Sequence, residues 1–245
     1  MYSFSRNINQ WTPELVGNTL DSAAILNDVL FPFSILLPIF FITVTLGLIY
    51  YCYKRPGFKS STYLKLFLAF VYMISGLQAL LGEIVRDGLN TVSSLFVGVV
   101  GLLAMWLVSL LILLDIYWNK TFFDFTLADA EYKSVKIAGF ILMFTGIVIY
   151  PLVEILLGFT WPTMVFFGAE CPTTIFLIGL LLSATPRTNK LFILILGINA
   201  IITGGSFATM GFPVDFQYAV AGIIGLITVV VYWRDIPIFP LKQDS

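Results

Sequence analysis

The sequence contains no histidine and only two cysteines, Cys52 and Cys171. Without histidine the chain has no imidazole base and lacks the commonest protein ligand of metal ions. The two cysteines form no CxxC motif, and a Cys/His zinc site cannot be built from them. These absences exclude zinc catalysis, haem ligation by histidine, and Ser-His or Cys-His nucleophiles. We therefore identify no catalytic residue and expect no cofactor.

Charge is also scarce in this sequence. Only 11% of the 245 residues are charged and 59% are hydrophobic, with a mean hydropathy of +0.96. A soluble domain is about half apolar and about a quarter charged, and one core of this size cannot bury the excess. The composition excludes a soluble globular protein and a disordered chain. The net charge of −1, without a basic patch, excludes a nucleic-acid binder.

Long apolar runs are what the sequence has in abundance. A membrane helix needs about 20 mostly apolar residues, and turn-forming and charged residues such as Lys54-Arg55-Pro56-Gly57 separate the runs. The sequence predicts an all-α, polytopic membrane helix bundle of seven transmembrane helices in one domain, residues 30–233. The seven runs are Leu30–Tyr53, Tyr63–Ile84, Val92–Trp118, Val135–Leu157, Met164–Ala184, Leu191–Met210 and Gln217–Trp233.

The basic residues predict the orientation, because cytoplasmic loops are enriched in Lys and Arg. We expect the protein to lie in the plasma membrane, with its N-terminus outside the cell and its C-terminus in the cytoplasm. Residues 1–29 then form an extracytoplasmic segment, with a short amphipathic helix near Pro13–Leu26, and residues 234–245 a cytoplasmic tail. The inner side holds Lys54, Arg55, Lys59, Lys65, Lys120, Lys133, Lys136, Arg187, Lys190, Arg234 and Lys242, and the outer side holds Arg6 and Arg86.

Acidic residues inside predicted spans are the first functional candidates, because an ionisable group in the bilayer is costly. Glu154 lies near the end of the fourth run, and Glu170 lies about six residues into the fifth. A position at the membrane interface is the favoured explanation for Glu83 and Asp215, and pairing with a nearby lysine is the favoured explanation for Asp115. Carboxylates without an internal cation either bind a cation or share protons.

The densest polar motif surrounds Glu170. We expect Pro172 to interrupt the fifth helix and free an upstream carbonyl. Thr173 and Thr174 either line a polar site or bond back to helix carbonyls. Cys171 is either part of the site or a small buried hydrophobe, and the predicted topology keeps it away from Cys52.

The fourth run carries a matching pattern, because Tyr150 and Glu154 share a helix face on either side of Pro151. Two proline-interrupted helices that face an outer cavity would suit a small ligand, and they would equally suit a structural contact. Hard cations favour the oxygen ligands that this region offers. The predicted ligand- or cation-binding residues are Glu154, Glu170, Cys171, Thr173, Thr174 and Tyr150.

Several motifs resemble one multi-pass membrane family. They are Tyr150-Pro151-Leu152, Cys171-Pro172-Thr173-Thr174-Ile175-Phe176 and Gly211-Phe212-Pro213-Val214-Asp215. Together they resemble the uncharacterised domain of unknown function 6064, over about residues 25–232. The chain has Gly158-Phe159 where that family is expected to have Gly-His, and Glu170 where it is expected to have Pro. The resemblance implies a membrane fold and a membrane location. It does not indicate an activity, because none is assigned to the family.

Two functions lead on the sequence, and a membrane enzyme or sensor is a third alternative. The first is binding or permeation of a small solute or cation through an outer-facing polar cavity. The second is an accessory or scaffold subunit of a larger membrane complex, which the lack of catalytic residues and the helically spaced small residues, such as Gly197 and Gly204, would suit. The expected partners are the lipid bilayer and other membrane proteins or further copies of the chain, and no nucleic acid.

Overall fold

The computed structural model describes residues 14–87, 92–118, 121–127 and 130–236. The regular elements in these ranges are helices. In chain order they are α1 (Glu14–Val29), α2 (Phe33–Lys54), α3 (Phe58–Asp87), α4 (Val92–Trp118), α5 (Lys133–Phe144), a π-helical turn (Thr145–Ile149), α6 (Tyr150–Leu156), α7 (Glu170–Ser183), α8 (Lys190–Thr209), a 3₁₀ turn (Pro213–Asp215) and α9 (Phe216–Val231).

Six stretches in the described part of the chain are long and apolar enough to cross a membrane. They are Phe33–Lys54, Phe58–Asp87, Leu95–Trp118, Lys133–Leu156, Lys190–Thr209 and Pro213–Val231. The remaining run, predicted as Met164–Ala184, contains only the 14-residue helix α7. At 1.5 Å per residue α7 is about 21 Å long, whereas a hydrocarbon core is about 30 Å thick. The prediction of a helix starting at Met164 is therefore wrong.

The helices pair as antiparallel hairpins that small residues hold close together. Gly76 lies against Met105 and Gly98 lies against Leu80, so α3 and α4 run in opposite directions. Gly197 contacts Gly222 and Gly204 contacts Asp215, so α8 and α9 do the same. These close approaches confirm the interpretation of the small residues as helix-packing positions.

The third hairpin pairs α5 and its π-helical turn with α7. Gly139 lies against Gly179, and Gly146 lies against the Pro172 carbonyl and Phe176. Tyr150 caps the π turn, and its N–H donates to the Thr145 carbonyl. The next residue is Pro151, which has no N–H to donate. This arrangement places Tyr150 beside the first turn of α7.

A buried ion pair ties together what we call the basic end of the bundle, where α3, α5 and α8 begin. Lys65 Nζ lies 3.1 Å from Asp115 Oδ2, and both side chains are almost fully buried. Lys65 also donates to the Thr121 carbonyl at 2.9 Å, and Asn189 Nδ2 donates to Asp115 Oδ1 at 3.3 Å. Asp115 is therefore accounted for by its lysine.

Some sequence predictions fall outside the described residues. These are Pro13 at the start of the predicted amphipathic helix, whose remainder lies within α1, and the basic residues Arg6, Lys120 and Lys242. Most of the two predicted terminal segments also lies outside, in residues 1–13 and 237–245.

The glycine contact between α5 and α7 gives the first testable prediction. A Cβ at residue 179 would lie 2.6 Å from the Gly139 carbonyl oxygen and 2.7 Å from the Met143 nitrogen. Because both neighbours are backbone atoms, Gly179→Ala should lower the free energy of unfolding by roughly 1–3 kcal/mol. Thermal unfolding of the purified protein in detergent measures this loss.

The matched control for this variant is Gly205→Ala in α8. A Cβ at Gly205 meets no atom within 4 Å, so this change should leave stability unchanged or slightly higher. Equal melting temperatures for the two variants would contradict the α5–α7 packing described here.

Candidate functional site

Helix α7 begins later than the hydropathy of its run predicts. Glu170 is its first residue rather than its seventh, because Ala169 is extended at the N-cap. Gly168 adopts a φ of +109°, which residues with a side chain rarely adopt, and a Cβ at this position would lie 2.8 Å from Cδ2 of Phe41. The connecting segment 157–169 therefore turns into the bundle before α7 starts.

Side chains satisfy several backbone groups of the connecting segment, in addition to the hydrogen bonds within its own backbone. Both carboxylate oxygens of Glu154 accept from the Val165 N–H, at 3.0 and 3.1 Å, and Glu154 is fully buried. Thr173 Oγ1 accepts from the Gly168 N–H at 2.8 Å, and Ser75 donates to the Gly168 carbonyl. Asn27 donates to the Pro162 carbonyl at 2.8 Å. Glu154 and Thr173 thus hold the segment in place.

The geometry of α7 corrects two further expectations. Pro172 lies in the first turn, where backbone N–H groups have no intrahelical acceptor, so it neither interrupts the helix nor frees a carbonyl. Thr173 and Thr174 do not bond back to helix carbonyls, since Thr173 bonds Gly168 and Thr174 bonds Tyr72.

A buried carboxyl group forms the centre of the site. Tyr150 Oη donates to Asp215 Oδ1 at 2.6 Å, and the Cys171 thiol lies beside both groups. Asp215 is 1% exposed and Tyr150 is fully buried. The expectation that water at a membrane interface solvates Asp215 is therefore wrong, because the 3₁₀ turn before α9 carries the side chain inward against α6 and α7.

A second chain of hydrogen bonds runs from α7 to α8 and α9. Asn199 Nδ2 donates to Tyr218 Oη at 2.8 Å and approaches Glu170 Oε1 at 3.3 Å. The hydroxyls of Tyr72 and Thr174 are 2.9 Å apart. Tyr218 also lies within reach of Thr174. The first turn of α7 is thus surrounded by neutral hydroxyl and amide groups.

We call Glu154, Glu170 and Asp215 the acidic cluster. Asp215 lies within electrostatic range of both glutamates. Within the described ranges, none of the three forms an ion pair, whereas Glu83 pairs with Arg86 at 2.8 Å. The described residues contain no group of three or more Cys, Asp or Glu placed to hold a metal ion.

The structure brings together Glu170, Cys171, Thr174 and Tyr150 of the six predicted residues. The side chains of Glu154 and Thr173 instead form hydrogen bonds with the backbone of the connecting segment. Sequence reasoning named Asp215 but assigned it to the interface, and it missed Tyr72, Asn199 and Tyr218. Of these, Asn199 carried a usable signal as a lone amide halfway along an apolar run.

The described residues thus form an all-helical protein with six stretches able to cross a membrane and a buried polar site, as in an integral membrane protein. Residues 20–237 match the family of unknown function DUF6064, and the chain belongs to this family. No curated protein and no solved structure matches the chain.

The role of Glu154 gives the second testable prediction. Glu154→Leu would leave the Val165 N–H buried without an acceptor, at a cost of about 1–3 kcal/mol. Amide hydrogen exchange in residues 160–168 should then become faster. Glu154→Gln keeps an acceptor oxygen and should protect these amides nearly as well as the original side chain. Equal exchange in the leucine variant and the unmodified protein would refute this role.

Proposed function

We propose that this protein is a seven-span integral membrane protein that binds and passes a proton or small cation at Glu170 and Asp215. The observation that carries the proposal is that both acids have only neutral partners in the bundle. A negative charge in an apolar medium is costly unless it is compensated. A bound cation or proton would supply that compensation.

The depth of the site supports a transported rather than a surface-bound ligand. Thr174 bonds Tyr72, which is the middle residue of the 30-residue helix α3. Asn199 lies at the middle of the 20-residue helix α8. Broken helices that end near the membrane centre, next to irregular backbone, form the substrate sites of many transporters. Helix α7 and the connecting segment have that arrangement.

The chemistry of the site favours a proton over a metal ion. The cluster lacks three carboxylate or thiolate groups placed around one point in the described residues. Its acids instead contact hydroxyl, thiol and amide groups, which donate and accept hydrogen bonds in turn. Such a network suits the movement of a proton between Glu170 and Asp215.

The proposed topology keeps the N-terminus outside and the C-terminus in the cytoplasm of a plasma membrane. The connecting segment and α7 together make the fifth crossing, because α7 runs antiparallel to α5. In support, Lys136 and Lys190 lie in the first turns of α5 and α8, and Lys65 lies eight residues into α3, all three helices starting at the basic end. Residues 1–29, 30–233 and 234–245 remain the proposed outer, transmembrane and cytoplasmic parts.

Proton flux tests the proposal directly. The purified chain is reconstituted into liposomes that contain a pH-sensitive dye, and a potassium diffusion potential drives uptake. The unmodified protein should acidify the lumen, and Asp215→Asn and Glu170→Gln should each slow acidification by roughly tenfold or more, because an amide cannot release a proton. A sodium gradient without a pH change tests the metal cation in the same vesicles.

The matched control is Glu131→Gln, which changes an exposed acid outside the helices. It should leave the flux unchanged. Normal flux through the Asp215→Asn and Glu170→Gln variants would refute the mechanism, as would the absence of any proton or sodium flux through the unmodified protein. Melting temperatures of all variants establish that a lost flux is not a lost fold.

An accessory subunit is the second candidate, and the exposure of α2 favours it. Only 17% of the apolar span of α2 is buried, and Phe33, Phe40 and Tyr50 are exposed. A partner helix or a second copy of the chain could cover this face, as could lipid. The acidic cluster would then serve an interface or a relay within the complex.

The native mass decides between the two candidates. The protein is extracted gently from its own membrane, and its mass and co-purifying chains are identified by mass spectrometry. A transporter should appear alone or as a homo-oligomer. Stoichiometric foreign chains, lost when Phe40→Ser disrupts the exposed face of α2, would instead establish a subunit of a larger complex.

A further inference from the structure

A cavity of about 370 Å³ opens at the basic end, far from the acidic cluster along the helices. Its volume lies within the range of small-molecule sites, roughly 300–1,000 Å³. Residues from the segment 121–127, from α5 and from the turn between α7 and α8 line it. The lining includes Asp124, Thr126, Lys136, Thr185, Pro186 and Arg187.

The cavity is positively charged and its cations are not neutralised. Within the described residues, neither Lys136 nor Arg187 takes part in an ion pair. Lys136 is 4% exposed and donates to the carbonyls of Thr126 at 2.8 Å and Asp124 at 3.4 Å. An ammonium group has three donors, so one stays available. The guanidinium of Arg187 lies over the Phe122 ring at 5.2 Å and is otherwise free to bond a ligand.

A buried hydroxyl beside the cavity is a second, independent observation. Thr185 lines the cavity and is fully buried, and its Oγ1 has no hydrogen-bond partner in the structure. Buried hydroxyls are nearly always bonded, and an orphan one asks for an explanation. An acceptor oxygen in the cavity would supply the partner.

We infer that this cavity binds a phosphate-bearing anion through Lys136, Arg187 and Thr185. Planar guanidinium and ammonium groups are the usual partners of phosphate oxygens. Asp124 also lines the cavity, so two cations face one carboxylate. The surplus of one positive charge matches a phosphodiester with one negative charge, the group found in anionic phospholipid headgroups. A free phosphate presents the same oxygens.

The test uses the full chain, purified in detergent, with thermal unfolding as the measurement. One arm adds dihexanoyl phosphatidylglycerol, with dihexanoyl phosphatidylcholine as the zwitterionic control. The other arm adds inorganic phosphate against sodium chloride of equal ionic strength. Saturable stabilisation is expected. Stabilisation by the anionic lipid alone identifies a headgroup site, and stabilisation by phosphate identifies a soluble ligand.

Variants decide whether the effect belongs to this cavity. Arg187→Gln should weaken the apparent affinity roughly tenfold, as for the loss of a hydrogen bond to a charged group. Arg55→Gln removes another exposed arginine and should bind normally. Lack of saturable stabilisation by either probe would overturn the inference, as would equal losses in the two arginine variants.

Thr185→Val tests probe binding without changing a charge, so it remains usable if a charge variant misfolds. Valine has nearly the same shape and no hydroxyl to leave unpaired, so the unliganded variant should be as stable as the original protein or more so. Its affinity for the stabilising probe should fall several-fold. If this variant binds the probe with unchanged affinity, the Thr185 hydroxyl does not contact the anion and the inference as stated is refuted.

Discussion

The arrangement of this bundle depends on one constraint, which is that a peptide group in an apolar interior must find a hydrogen-bond partner within the protein. The connecting segment 157–169 meets it with turns of its own backbone and with side chains from other parts of the chain. Glu154 accepts from Val165, Thr173 accepts from Gly168, and Asn27 donates to Pro162. Because these bonds replace helical ones, the chain can enter the bundle without being helical, and α7 can begin at the level of Tyr72.

The position at which α7 begins, and its packing against α5, bring the polar groups together. Gly139, Gly146 and Gly179 let α5 and α7 touch through their backbones. The same contact sets Tyr150 against the first turn of α7, where Cys171 follows Glu170. The 3₁₀ turn then delivers Asp215 to the Tyr150 hydroxyl. The glycine contacts that pack α5 against α7 therefore also position the acids, so the fold and the site depend on the same contacts.

Local sequence determines most of the helices but little of the site. Six apolar runs became helices near their predicted limits, because hydropathy and turn residues report burial along a single helix. The run from Met164 is equally apolar whether it is helix or loop, so hydropathy could not locate the start of α7. That start depends on Gly168 and on Glu154, which lies on another helix. Asp215 was misjudged for the same reason, since its partner Tyr150 is 65 residues away.

The treatment of other acids in the same fold argues that the acidic cluster is more than a structural network. Asp115 is buried against Lys65, and Glu83 is buried against Arg86. At these two positions the bundle supplies a cation beside the buried carboxylate, and at Glu154 a backbone N–H bonds both oxygens. Glu170 and Asp215 receive only hydroxyl, thiol and amide partners. Asparagine or glutamine would make such bonds without the cost of a buried charge. What a carboxyl group adds at these positions is the capacity to take up and release a proton or a cation.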